Sequence, residues 1–208
     1  MSGAARRRTR APAMAGSSTR LQVTPFESAA DYRSMLDYFL GADERFLRGM
    51  GVDPDKLPQR DAWLARLLPD LTRPDSHKQT FYLGWDYDGN RVGHCNLNPL
   101  AYGAQAHLHL HLWDAGARRA GLGTEFLRRS IDVFFQRFAL HRLYCEPYAE
   151  NPAPNRVLSK AGFRLLERHR TIPGLINFEQ EVNRYVLERG AGAAAAVHDA
   201  GEADLQGR

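Results

Sequence analysis

The stretch Ala106-His-Leu-His-Leu-His-Leu-Trp113 alternates strictly between apolar and polar residues, and it runs into Arg118-Arg-Ala-Gly-Leu-Gly-Thr124. A period of two is the signature of a strand, so Leu108, Leu110 and Leu112 are expected on one face and His107, His109 and His111 on the other. The glycine-containing loop then opens Leu122 to Phe138, whose apolar residues recur at helical spacing. Upstream, His94, Asn96 and Asn98 also alternate. If the two segments pair through the Pro99–Gln105 loop, six polar residues share one sheet face. Imidazoles are costly to bury without partners, so an open, polar, acceptor-side cavity is expected beside this hairpin.

Around this unit the chain reads as a mixed α/β domain. Leu21–Val23 is expected to be a strand. Tyr32, Met35, Leu36, Phe39 and Leu40 mark a helix, and Arg60–Leu68 a second one stopped by Pro69. Phe81–Asp86 and Val92–Leu97 flank the turn Asp88-Gly-Asn90 as a hairpin. After the long helix come a strand at Leu143–Glu146, a short helix at Pro154–Ala161, and closing strands at Phe163–Arg170 and Glu181–Leu187. The expected order is β-α-α-β-β-β-α-β-α-β-β.

Net charge refines the picture. The 208 residues carry a formal +4, and the pI is about 9.3, a balance that suggests nucleic-acid binding until the charges are located. Arg6, Arg7, Arg8, Arg10 and Arg20 put +5 in residues 1–20, and Asp199, Glu202, Asp204 and Arg208 put −2 in residues 190–208, which leaves +1 for 21–189. Both end segments lack a periodic apolar face and read as disordered tails, 1–20 Arg-rich and 190–208 Ala/Gly-rich. Met14 also allows translation to begin later. The folded domain is expected at 21–189. No apolar run is long enough for a membrane span or resembles a signal peptide, and Cys95 and Cys145 do not make a disulfide framework. A cytoplasmic protein with neither membrane nor nucleic acid as partner is the resulting expectation.

Glycines at 121 and 123 let a ligand approach the backbone closely, while the helix start turns unpaired N–H groups and a positive dipole end outward. Such a loop suits a pyrophosphate, although a tight strand-to-helix turn has the same spacing. No G-K-[ST] follows, and the third glycine of the dinucleotide fingerprint is missing.

Arg118-x-x-Gly121-x-Gly123 resembles the acyl-CoA signature [Q/R]-x-x-G-x-[G/A] of the GNAT superfamily of N-acetyltransferases. Asn151-Pro-Ala-Pro-Asn-Arg-Val-Leu-Ser-Lys-Ala-Gly-Phe163 resembles its second block, N-x-x-[S/A]-x-x-x-x-x-K-x-G-F, with Pro154 at the fourth position. The blocks stand in the family's order, separated by a helix and a strand. The resemblance spans roughly Leu21 to Arg189 and lies nearest the ribosomal-protein alanine acetyltransferase branch. It implies a mixed, mostly antiparallel sheet with helices on both faces and fourth and fifth strands splayed apart. It implies further that acetyl-CoA is the acyl donor, its pyrophosphate held by backbone N–H groups from Arg119 through Ala120, Gly121, Leu122 and Gly123 to Thr124, with charge from Arg118. The pantetheine arm would pair with Leu112 and Trp113, and Asn151 and Asn155 would line the channel.

In that family a glutamate about eleven residues before the [Q/R] often acts as general base, which here is His107; His109 faces the same way and is an equal contender. The His111 backbone N–H is the group expected to polarise the thioester. Satisfied core histidines are the plainer reading. Metal ligation would need donors from outside the strand, so no metal is expected. Leu158 stands where many relatives place a tyrosine acid, and Pro154 where the alanine acetyltransferase branch places a serine. Asn155, Tyr144, Tyr148, Cys145 or water remain as proton donors. The acids of Asp43–Phe46 and Arg48–Asp55 suit a cationic amine, or a solvated loop with a helix cap. The resulting expectation is an acetyltransferase acting on the primary amine of a small molecule in a ternary complex, with a homodimer allowed. Its rivals are a protein N-terminal or other acyltransferase, and a silent acyl-CoA-binding module.

Overall fold

The computed structural model describes residues 20–190 except 115, 117, 119 and 120. The expectations for residues 1–19 and 191–208, and for Arg119 and Ala120, therefore lie outside the described residues, while Arg20, placed in the tail, is bonded to Asp88 at 2.9 Å.

Among the described residues seven strands form one sheet in the order β1-β2-β3-β4-β5-β7-β6. In chain order they are β1 (Leu21–Pro25), β2 (Phe81–Tyr87), β3 (Asn90–Ala101), β4 (Gln105–Leu112), β5 (Arg142–Cys145), β6 (Arg164–Thr171) and β7 (Gln180–Glu188). The pairings are antiparallel except β4 with β5, which run parallel. That parallel step is dictated by α5 (Leu122–Arg137), which carries the chain from the end of β4 back to the start of β5.

Each face of the sheet has its own apolar layer. One holds Trp85, Leu97, Leu108, Phe126, Phe134 and Leu158 beneath α5 and α6 (Pro152–Lys160). Trp85 stacks on Phe126 with centroids 5.1 Å apart and donates its Nε1–H to Ser130 Oγ at 2.9 Å, so its polar atom is satisfied in the core. The other layer holds Phe26, Tyr32, Met35, Leu36, Phe39 and Leu67 under α1 (Ala29–Leu40) and α3 (Arg60–Leu67). The α1 residues that the spacing marks, Tyr32, Met35, Leu36 and Phe39, are those it buries.

Two short helices join the expected set. Asp43 caps α2 (Glu44–Gly49) by accepting the Phe46 N–H at 2.8 Å, a pattern too short to show an amphipathic period. α3 ends at Leu67, just ahead of Pro69, as expected. Pro69 then opens a further helical turn, α4 (Pro69–Thr72), because a first-turn proline gives up no hydrogen bond.

β3 and β4 pair so that their polar residues share a face as expected, His94 opposite His111 and Asn96 opposite His109, while a shift between Leu97 and Leu100 leaves Asn98 outside the ladder. The β4–β5 ladder runs only from Gln105/Arg142 to His107/Tyr144. Beyond that point the two strands part.

Candidate functional site

Along β4 the backbone groups alternate sides as strictly as the side chains. Trp113 donates its N–H to Val92 O at 2.7 Å, toward β3, while Ala104 O accepts the Arg142 N–H at 3.4 Å, toward β5. Odd-numbered residues from 109 to 113 therefore bond toward β3, and even-numbered ones face β5. Since the β5 ladder stops at His107/Tyr144, the N–H groups of Leu110 and Leu112 face the gap between the strands. The His111 N–H points at β3 and not at the gap, as does that of Trp113. A period of two decides this as firmly as it decides side-chain facing.

The gap opens into a cleft of about 1400 Å³ that reaches both faces of the sheet. On the α5 side it is lined by Gly121, Gly123, Thr124, Asn151 and Val157. Gly121 is the N-cap of α5, at φ 72, with open space where a Cβ would stand. Leu122 starts the helix. Arg118 folds back: its Nε donates to Leu112 O at 2.9 Å and its Nη2 to Trp113 O at 3.1 Å, and its guanidinium lies over the Phe46 ring at 4.8 Å.

The histidines separate into two environments. His94, 1% exposed, stacks on His111 at 4.9 Å and lies among Phe26, Phe39 and Tyr82. Trp113 Nε1–H donates to His94 Nδ1 at 2.9 Å, which fixes the His94 proton on Nε2. Burial lowers the pKa of both rings, His94 well below its ordinary value and His111 to about 3, with neighbouring histidines adding to the effect. Asn96 is buried as well and the α1 ring of Phe39 packs on both imidazoles, yet His94, Asn96 and His111 line the cleft together with Asn98, His107 and His109, the polar cavity wall expected of these six residues. At the other end His109 Nε2 lies 2.8 Å from Asn98 O. A carbonyl only accepts, so Nε2 carries the proton and Nδ1 keeps its lone pair. His107 lies against Tyr144, centroids 5.7 Å apart. Burial also lowers the pKa of His107 and His109.

The sequence reading missed Glu146. It sits just past the last residue of β5 on the cleft wall, its side chain 13% exposed and 3.3 Å from Arg184. Its carboxylate opposes the lowering of both histidine pKa values. Its position one residue past Cys145, at the tip of the departing strand, was the available signal.

Several candidates are held by local contacts. Asn155 Nδ2 donates to Tyr148 O and Asn151 O at 3.1 and 2.7 Å, and Asn155 Oδ1 accepts from Asn183 at 2.7 Å. Asn151 caps α6 by accepting the Ala153 N–H. Cys145 is 3% exposed in the α5-side core, where burial pushes its thiol up. Leu158 is fully buried there as well, so a tyrosine's polar end has no place at that position. The loop acids are engaged locally: Asp43 caps α2, Glu44 pairs with Arg48 at 2.7 Å, and Asp53 accepts the Asp55 N–H.

The loop after α2 is strapped to the β6–β7 connection. Gly51 O accepts from Asn177 Nδ2 at 2.8 Å and from Gln180 Nε2 at 3.0 Å. Gly51 has φ +84, and a Cβ there would stand 2.2 Å from Gln180 Oε1. Gly51→Ala is expected to destabilise the protein by roughly 2 kcal/mol through left-handed strain and the displaced amide. Urea denaturation measures this, and in a Gln180→Ala background the added loss should shrink to about 1 kcal/mol, the backbone share alone.

The strand order, the parting of β4 and β5, and a glycine-capped helix facing the gap define an acyltransferase-type α/β fold. The acetyltransferase (GNAT) domain family matches residues 20–164, and the chain belongs to that family. Spermidine N-acetyltransferase from Vibrio cholerae, solved with CoA and spermine, is a structural relative at 17% identity and TM-score 0.68, with 84% of this chain and 99% of that one covered. The ribosomal L7/L12 alpha-N-protein acetyltransferase RimL, solved with CoA, gives 15% identity and TM-score 0.66 over 82% and 95%. Ribosomal-protein-S5-alanine acetyltransferase from Vibrio fischeri gives 17% and 0.64 over 82% and 94%. At these identities the likeness is one of fold. No curated protein matches the sequence.

Proposed function

We propose that the protein transfers an acetyl group from acetyl-CoA to the primary amine of a small molecule, by direct attack in a ternary complex. The observation that carries this is the gap itself. Two slot-facing N–H groups, those of Leu110 and Leu112, lead to the α5 N-terminus on one side and to His109 and Glu146 on the other. These residues fit the donor. The α5 N-terminus, capped by Gly121, suits its pyrophosphate, and the strand edge suits an amide-bearing arm that pairs like a short strand. Acetyl-CoA supplies an activated thioester, and structural relatives solved with CoA share the fold.

The chain's own residues do the rest. The Glu146 carboxylate draws the acceptor ammonium to the gap, and His109 Nδ1, its ring held by Asn98 O, takes the proton that the amine must lose before attack. His111, neutral and stacked on His94, is a wall. Holding both reactants in one cleft supplies much of the rate. Tyr148 lines the cleft just past β5, and its hydroxyl is the group proposed to return a proton to the leaving thiolate.

Thermal denaturation with acetyl-CoA tests the donor site. Saturating acetyl-CoA at 100 times its Kd should stabilise the protein by about 2.7 kcal/mol. Gly121→Glu should remove that stabilisation while costing the free protein only about 1 kcal/mol of left-handed strain at φ 72, because no described neighbour lies within 4 Å of the Cβ position. Equal stabilisation of both proteins would place the pyrophosphate elsewhere.

A further inference from the structure

The acceptor half of the cleft is walled by rings rather than by acids. Tyr38, Phe46 and Trp63 are half-buried on it, with Met50 and Ile176 beside them, and Leu175 at its wall is 73% exposed. Apolar surface of this kind, gathered in a concave site, fits an apolar ligand body.

The charges are equally selective. The carboxylates on the lining are Asp43 and Glu146. Asp43 is taken by the α2 N-terminus; Glu146, although paired with Arg184 at 3.3 Å, keeps further acceptor lone pairs at the tip of β5 and is the carboxylate placed to meet the reacting ammonium. Arg45 on α2 and Arg66 on α3 line the same cleft, both exposed and without a hydrogen-bond or ion-pair partner among the described residues. Arg156 and Lys160 belong to the α6 end. A polyamine needs a carboxylate for each further ammonium, and here it meets guanidinium groups instead. A guanidinium in a partly desolvated cleft is matched by a carboxylate, to which it offers two parallel hydrogen bonds.

Resting on the transferase reading above, we propose that the acceptor is a primary amine with an aromatic or bulky apolar body and a distal carboxylate. The amine meets Glu146 and His109, the body lies on Tyr38, Phe46, Trp63 and Met50, and Arg45 and Arg66 receive the carboxylate.

Thiol release from acetyl-CoA by the full chain tests this with matched amines: 4-(aminomethyl)benzoate against 4-methylbenzylamine, 4-(2-aminoethyl)benzoate against phenethylamine, and spermidine. The carboxylated member of at least one pair is expected to exceed its neutral partner about tenfold in kcat/KM, the discrimination of about 1.4 kcal/mol that one well-placed ion pair provides. Spermidine should be the poorest substrate. In Arg45→Glu and Arg66→Glu the ratio should fall to about one or below. Faster turnover of spermidine, no preference within either pair, or a preference that survives both charge reversals overturns the acceptor assignment and leaves the transferase reading standing. No release with any amine, from protein that acetyl-CoA stabilises, overturns both.

Discussion

Between pH 6 and pH 4 the protein is expected to lose stability steeply, beginning above the range in which its carboxylates titrate. His94 and His111 are held neutral by burial, His111 with a pKa of about 3, whereas in the unfolded chain each takes up a proton near pH 6.5. The unfolded state then binds protons that the folded state excludes, so stability rises with pH across this window. The contribution is fully present above pH 6.5 and is lost as pH falls toward the folded value. For His111 the loss between pH 6 and 4 is roughly 2.5 kcal/mol, and His94 acts in the same direction. The hydrogen-bonded carboxylates of Asp31, Asp70 and Asp88 have pKa values lowered from an already acidic starting point, so their contribution is lost only at lower pH. Urea denaturation at half-unit pH steps measures the slope, and His111→Phe, which keeps the ring contacts with Tyr38 and Phe39, should reduce it by about one proton. Stability that stays flat from pH 7 to pH 5 would show that the two rings take up protons in the folded state as readily as in the unfolded chain.

His109→Gln is expected to lower kcat by 10²–10⁴-fold, the usual range for removing a general base. The glutamine amide can still donate to Asn98 O, so the loss would come from the missing lone pair at Nδ1 and not from a broken brace. Because burial lowers the His109 pKa, the acid limb of kcat/KM in the wild type should have its midpoint below 6.5 and disappear in the variant. Glu146→Gln should chiefly raise KM for the acceptor, since the carboxylate attracts the ammonium without taking its proton. If instead Glu146→Gln removes kcat while His109→Gln keeps it, the base is the carboxylate and the histidine is a wall.

Much of the fold could be read directly from local patterns. Alternation placed the strands and put the polar faces of β3 and β4 on the same side of the sheet, because a one-residue slip would turn Leu97 and Leu108 out of the core. Helical spacing placed α1, α3 and α5. What escaped was short: α2 and α4 span six and four residues, too little for a period to show, and they exist because Asp43 caps one and Pro69 opens the other.

The candidate site was less legible. The sequence alone determined the strand of histidines, the glycine-capped helix beyond it and the family signature, since these depend on neighbours in the chain. It could not tell that His94 and His111 pack against α1 aromatics while His109 leans on Asn98 O, because the same alternation produces both. Nor could it bring Glu146, 37 residues after His109, to the same cleft, or show that the acids of the α2 loop are engaged at home. Those outcomes depend on where β5 leaves β4 and on which helix covers which end of the sheet. Burial and electrostatics act through space, so only the tertiary structure decides them.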